Sequence, residues 1–298
     1  AVTAKLLGAT REQIIAATSL AFFEPSLCAH RFGSNVGPRK GWAAAESTSH
    51  GVRLAFMALR GEPAYPNVLT QPKWGFNKSF LAGREFTMGP LGTAVMEGII
   101  FKILCPVVIH AQSAIECAVK LYPEVHARLD DIASIKLDVH VETFNKINKT
   151  GVLRNAADRD HCLQYAVAIA LMHGRLTAND YTDEFAADSR IDKLRALMHV
   201  EESAKYTAML RDKALGANPN AIEVTYKDGT QSTRVEVEYP VGHPRRRDEG
   251  IPLLVEKFKG NLARRFDDKC RQAILALCLD HAKLAAMPVN VFTDLLAA

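Results

Sequence analysis

Closely paired cysteines, long apolar runs and any large excess of charge are all lacking in this chain of 298 residues, and each lack removes a class of function. The six cysteines, at positions 28, 105, 117, 162, 270 and 278, form no C-x-x-C pair. That excludes a disulfide scaffold and the ligand spacing of zinc or iron–sulfur sites, and suggests reduced, buried thiols of an intracellular protein of the cytoplasm or mitochondrial matrix. A formal charge of +4 is too small to mark a nucleic-acid partner, and the one basic run, Arg245-Arg246-Arg247, has no interleaved aromatic residues. The longest apolar stretch, Ile99 to Ala111, is cut by Lys102 and Pro106 and is too short to cross a bilayer. Neither the dinucleotide-binding nor the P-loop glycine pattern occurs, nor does any internal repeat. The first residues, AVTAKLLGATREQIIAA, carry neither a start methionine nor the layout of a signal peptide, and read as a chain that begins inside a helical region.

What is present is an apolar fraction of 48% beside 23% charged residues, enough for a large soluble core. Thr10 and Gln13 make a capping box for a helix running to about Phe23, and the alanine-rich stretch from Gly41 to Gly61 is a second helix. Helical character returns at Thr93 to Leu104 and at Ala111 to Tyr122. ASIKLDVHVETF alternates apolar and polar residues like a half-buried strand. AIEVTYKDGTQSTRVEVEY reads as a hairpin closed by a type I′ turn at Asp228-Gly229. Helices follow from about Pro252 to Phe266 and Asp267 to Ala285. The order of helices, a mixed segment, then helices again predicts a mainly α protein with an inserted α+β unit. Its expected parts are residues 1–97 (helical), 98–240 (α+β) and 241–298 (helical return).

Four stretches hold residues able to carry chemistry. HRFGSNVGPRKGW places Arg31, Arg39 and Lys40 in a glycine-rich loop before a helix, which is either an anion-binding turn or a surface turn with solvated cations. Lys102 interrupts an apolar run; it either snorkels to the surface or points into a cleft, with His110 eight positions on as a structural or a catalytic histidine. In DRDHCLQYAVAIALMHGR, Asp158 and Asp160 suit the capping of a helix start, whereas Arg159 and His161 oppose the helix dipole and need an acidic partner or a bound carboxylate. YPVGHPRRRDEG puts His243 and three arginines where the chain leaves the mixed segment, as a ligand site or as a hinge with an exposed basic face.

Taken together, GWAAAESTSHGVRLAFMALRGE, NKTGVLRNAADRDHCLQYAVAIALMHGRLTANDY, VEVEYPVGHPRRRDEGIPLLVEKFKGNLARRF and the terminal MPVNVF closely resemble the methylcitrate-dehydrating branch of the MmgE/PrpD family. The likeness runs from the first residue to the last. It implies a two-domain architecture, with a large helical domain, an α+β lid domain set into it and the active site in the cleft. It also implies reversible loss of water from 2-methylcitrate in propionate breakdown, with no cofactor and no metal. Such an elimination places negative charge beside a carboxylate, so preorganised cations must stabilise it and an acid must protonate the departing hydroxyl. On this resemblance Lys40 and Arg39 bind substrate carboxylate, with Arg159 and His243 beside them, and Lys102, His110 and His161 serve catalysis. The partners implied are a small tricarboxylate, a second copy of the chain, and a helical segment of the family that precedes residue 1. Relatives carry Arg-His-Ala-Pro-Asn where this chain has Arg31-Phe32-Gly33-Ser34-Asn35, so a role held by that histidine is absent at this spot, with His30 two positions earlier. Two other readings stay open: decarboxylation of cis-aconitate within the same family, and a catalytically incomplete chain that acts only through association.

Overall fold

The structure, a computed structural model, describes residues 1–23, 31–32, 35–84 and 98–297, and divides into two compact units. The first comprises Ala1–Thr93 with Val152–Arg159, the second Ala94–Gly151 with Asp160–Ala298. Residues 241–298, expected as a return to the helical domain, are thus grouped with the second unit. Cys28, His30, Gly33, Ser34 and residues 93–97 lie outside the described residues, as do the side chains of Arg31 and Arg39.

In the first unit the helices Val2–Leu6, Arg11–Leu20 and Ala43–Leu59 meet through alanines. Ala4, Ala9, Ala16, Ala17, Ala55 and Ala58 form the core, with Ile14 and Leu59 against it. Such short side chains let helix axes approach closely. The expected capping box is present: the Thr10 hydroxyl accepts the Gln13 N–H, and Gln13 accepts the Thr10 N–H. Two short strands, β1 (Arg31–Phe32) and β2 (Asn35–Val36), pair antiparallel ahead of a 3₁₀ turn at Pro38–Gly41. The short helix Ala156–Arg159 packs against that turn and against β2, although some 120 residues separate them in the chain.

The second unit is built on a sheet of order β4-β3-β5-β6, where β3 is Ile132–Val139, β4 Met198–Glu202, β5 Asn220–Tyr226 and β6 Val235–Val237. β3 runs parallel to β4 and antiparallel to β5, which pairs antiparallel with β6. Helix Gln112–Val125 lies on β5 and β6, and helix Leu163–His173 lies against it in turn. Nearly every residue of Leu163–His173 is buried, as the apolar run from Tyr165 to Met172 requires. Among the described residues no helix is long and apolar enough to cross a membrane.

Five local expectations are corrected. The alternation over residues 133–144 predicts one strand, but β3 ends at Val139 and Val141–Ile147 is a helix whose N-cap is His140. Residues 98–108 form no helix: the Phe101 N–H donates to the Gly242 carbonyl at 2.9 Å, and Arg247 donates to the carbonyls of Ile99 and Gly242, so tertiary hydrogen bonds hold the segment open. The hairpin turn is not type I′, because neither Lys227 nor Asp228 has positive φ. Tyr226 accepts from the Gly229 N–H and donates to Thr230, and Gly229 sits at φ +83°, giving a three-residue loop with a glycine bulge. The long buried helix starts at Leu163, not at Asp158, and neither aspartate caps it. The stretch from Asp267 to Ala285 is two helices, Asp268–Cys278 and His281–Ala286, the second capped by Asp280. β4, with its sequence MHVEE, was not anticipated at all; its apolar content is too low to alternate, and parallel pairing with β3 alone defines it.

Candidate active site

The residues singled out in the sequence fall into two groups, one in each unit. In the first, Lys40 sits half-buried in the Pro38–Gly41 turn, its N–H donating to the Gly37 carbonyl at 3.2 Å. Arg159, 6% exposed, ends the short helix packed against that turn. What joins these elements is Asp158, which is fully buried. Its carboxylate accepts the Val36 N–H at 2.5 Å and the Arg154 N–H at 3.2 Å, while Asn155 Nδ2 donates to the Val36 carbonyl at 3.3 Å. A carboxylate that accepts backbone N–H groups in the interior is worth roughly 1.5–3 kcal/mol per bond net. Asp158 therefore acts as a tie between distant segments, and the tie puts two cationic residues on adjoining elements.

In the second unit the extended segment 98–108 carries exposed Lys102, whose carbonyl takes a hydrogen bond from Lys257 Nζ, and leads into the 3₁₀ turn Ile109–Ala111 that holds half-buried His110. Gln112, 3% exposed, fixes the approach to the turn: its Nε2 donates to the carbonyls of Cys105 and Val107 at 3.1 and 3.0 Å. The Val108 N–H donates to the Asp160 carbonyl at 3.4 Å, which sets the Asp160–His161 pair beside the His110 turn. His161 is 2% exposed, and its Nδ1 is hydrogen-bonded to the Asp160 carboxylate. An imidazole held by a carboxylate at Nδ1 has its tautomer and ring orientation fixed, and the carboxylate stabilises the imidazolium formed when Nε2 takes a proton. Asp160 is therefore the acidic partner that His161 required, not a helix cap.

His243 is buried with both ring nitrogens engaged. Nδ1 accepts the Arg245 N–H at 3.1 Å, so Nε2 carries the proton and donates to the Gly216 carbonyl at 3.0 Å. The three arginines beside it are committed as well. Arg245 donates to the Ala214 carbonyl and lies over the Tyr239 ring, Arg246 binds both oxygens of buried Glu116 and also Glu249, and Arg247 binds the carbonyls of Gly242 and Ile99. GHPRRR is thus mainly a fastening of the second unit, with Arg246 and Arg247 half-buried and Arg245 exposed. Burial pushes the thiols of Cys105 and Cys117 up to about 12, which makes them inert packing groups at neutral pH. Among the described residues no cluster of three or more His, Cys, Asp or Glu could hold a metal ion.

Sequence reasoning passed over Asp160 as a partner, and also the polar group beneath His110: His140, Thr143, Asn218 and Asn220, all buried. The one signal available was NPN at 218–220, two polar residues leading directly into a strand, which reads as an ordinary turn.

Residues 1–89 match the MmgE/PrpD N-terminal domain and residues 105–281 the MmgE/PrpD C-terminal domain. The chain belongs to the MmgE/PrpD family. Along all of its length it is 49% identical to the 2-methylcitrate dehydratase of Cupriavidus necator, of which it covers 62%. Over 99% of its length it is 47% identical to that of Escherichia coli K12, of which it covers 62%, and 43% identical to the mitochondrial 2-methylcitrate dehydratase of Yarrowia lipolytica, of which it covers 57%. The chain spans about three-fifths of the length of these family relatives.

Burial lowers the imidazoles of His140, His173 and His243 below the ordinary 6.5, helped at His173 by Arg175 and at His243 by the neighbouring arginines. Each is therefore neutral in the folded protein near pH 7, whereas an unfolded chain takes up protons at 6.5. Acidification then favours the unfolded state. The stability these groups support is complete above the unfolded value and is lost as pH falls through it toward the lower folded values. Thermal midpoints should stay level from about pH 8 to 7 and decline as pH falls through about 6.5, above the range where carboxylates titrate. A midpoint that rises over that acid interval would contradict this account.

Proposed function

We propose that the complete protein is a hydro-lyase that dehydrates 2-methylcitrate to 2-methyl-cis-aconitate, with residues 98–240 serving as the lid of a mainly α, two-domain enzyme. The observation that carries this reading is the near-half identity, along the whole chain, to proteins of that activity. In the reaction a C–H bond and a C–OH bond break, a C=C bond forms and water leaves. The Asp160–His161 pair takes the proton from the carbon that bears the methyl group, since the carboxylate stabilises the imidazolium as it forms. His110, on the adjoining turn, protonates the departing hydroxyl. Lys102 neutralises the charge that builds beside the reacting carbon; the resemblance to the family assigns carboxylate binding to Lys40, Arg39 and Arg159. His243 contributes by holding the Gly216 and Arg245 backbones rather than by touching substrate. This assignment uses side chains alone and calls on no metal or cofactor. The proposed assembly is a homodimer in an intracellular compartment; exposed Val52, Phe56 and Met57 on the helix Ala43–Leu59, with exposed Trp42 at its N-cap, support association.

The test offers the protein 2-methylcitrate and cis-aconitate separately, following the absorbance of the new double bond and the release of carbon dioxide. Double-bond absorbance from 2-methylcitrate with no carbon dioxide from cis-aconitate is expected. Carbon dioxide from cis-aconitate with 2-methylcitrate untouched would replace the assignment by a decarboxylase.

A further inference from the structure

Beneath the turn that carries His110 lies a fully buried histidine that the proposed chemistry does not use. His140 is 0% exposed and precedes the helix Val141–Ile147 as its N-cap residue. Its Nδ1 accepts the Thr143 N–H at 3.4 Å, which places the ring proton on Nε2. Nε2 faces Asn218 Oδ1 at 2.6 Å and Thr143 Oγ1 at 3.0 Å, and both atoms are acceptors toward it. Each of those residues has its remaining donor aimed at the His110 turn: Asn218 Nδ2 donates to the Ile109 carbonyl at 2.8 Å, and Thr143 Oγ1 donates to the His110 carbonyl at 2.9 Å. Asn220 Nδ2 adds a second bond to the His110 carbonyl at 3.1 Å. The rings of His140 and His110 meet edge to face, centroids 5.6 Å apart.

The directions of these bonds form a chain with one consistent solution. Were Nε2 an acceptor, the Asn218 amide would have to turn over and the Ile109 carbonyl would lose its donor. Were Nδ1 protonated as well, it would oppose the Thr143 N–H at a helix start, where a cation is disfavoured. Burial keeps the imidazole below its usual value and so neutral, outweighing the hydrogen bond to Asn218 and the smaller influence of Glu142 on the same helix, both of which favour the charged ring; Lys146 acts in the same sense as burial. We propose that His140 is a positioning residue for His110, its single Nε2–H orienting Asn218 and Thr143 so that both hold the Ile109–Ala111 turn by its carbonyls. This inference rests on the proton-transfer role given to His110 above.

Two conservative replacements separate this role from plain helix capping. His140→Asn retains an acceptor near Nδ1 for the Thr143 N–H but loses the Nε2 donor, whereas His140→Gln retains a donor near Nε2. Imidazole NMR on the ¹⁵N-histidine chain should show wild-type His140 as the Nε2–H tautomer throughout the neutral range. The His110 ring signals should shift and broaden in His140→Asn and return toward wild type in His140→Gln. In turnover of 2-methylcitrate, His140→Asn should lower kcat about tenfold to a hundredfold with KM little changed, and His140→Gln should recover most of it. Adding His140→Asn to His110→Ala should cost no further activity, because the first acts through the second. Identical His110 signals in wild type and both variants would overturn the proposal, as would His140→Asn outperforming His140→Gln, the order expected of a cap alone. If His110→Ala itself turns over at the wild-type rate, the role of His110 is what fails, and the NMR comparison still decides whether His140 sets the turn.

Discussion

The proposed dehydration of 2-methylcitrate is expected to fall about 10²–10⁴-fold in His161→Gln, the span ordinarily lost with a general acid or base. Asp160→Asn should reproduce most of that loss although it leaves the imidazole in place. The reason lies in the direction of one hydrogen bond. Asp160 can only accept, so Nδ1 must carry the proton and Nε2 is left with its lone pair for the substrate. An asparagine amide can turn and donate to Nδ1, which moves the proton to Nε2 and leaves the base in the wrong tautomer. Stability of Asp160→Asn should respond much less than rate, because the Asp160 side chain is 28% exposed and its replacement keeps the same shape. Thermal midpoints within a few degrees of wild type, alongside a collapse in kcat, are therefore the expected pair of results. Wild-type turnover in both variants would remove His161 from the chemistry. A rate that falls only in proportion to lost folded protein would make the pair structural.

What the sequence disclosed and what it concealed divide along the distance over which a residue finds its partner. Thr10 and Gln13 lie three apart and bond to each other, and their capping box could be read directly. The alternation of residues 133–144 was visible as well; it marks a strand as far as Val139, where one face of β3 is buried, and misleads beyond it, where His140 opens a helix. Ile99 to Leu104 looked helical for want of any local objection; the objection is Gly242, some 140 residues on, whose carbonyl takes the Phe101 N–H. Asp158 looked like a cap for a similar reason, since its true partner, the Val36 N–H, belongs to a segment 122 residues earlier. The candidate site follows the same rule. Lys40, Lys102, His110, Arg159 and His161 stood out because a charge or an imidazole in an apolar or glycine-rich setting is conspicuous by itself. His140, Asn218 and Asn220 did not, because a buried polar network is specified jointly by segments that no sequence window spans.

Gly242→Ala is expected to be the most damaging single-methyl change considered for the second unit. A Cβ at that position would stand 1.7 Å from the Phe101 carbonyl oxygen and 2.7 Å from its carbon. Both are backbone atoms, so no rotamer change relieves the clash. The same peptide group is held by the Phe101 N–H at 2.9 Å and by Arg247 Nη1 at 2.8 Å, and Arg247 also lies over the Phe101 ring at 3.9 Å. Moving apart to admit the methyl group therefore strains or breaks several bonds at once. Overpacking of this kind costs about 1–3 kcal/mol, and each hydrogen bond lost adds about 1 kcal/mol. A total near 4 kcal/mol corresponds to a fall of roughly 8–16 °C in thermal midpoint for a domain of this size. Gly260→Ala makes the matching control: it lies within the helix Arg247–Leu262, nothing stands within 4 Å of its added Cβ, and it should gain about 0.5–1 kcal/mol by helix propensity. The two alanines should thus move the midpoint in opposite directions. The damage at Gly242 should also reach function, because the strand of chain it would displace runs on through Lys102 toward His110. A Gly242→Ala protein that melts within a degree or so of wild type would mean that residues 99–102 are not held against Gly242, and the placement of Lys102 derived from that contact would fall with it.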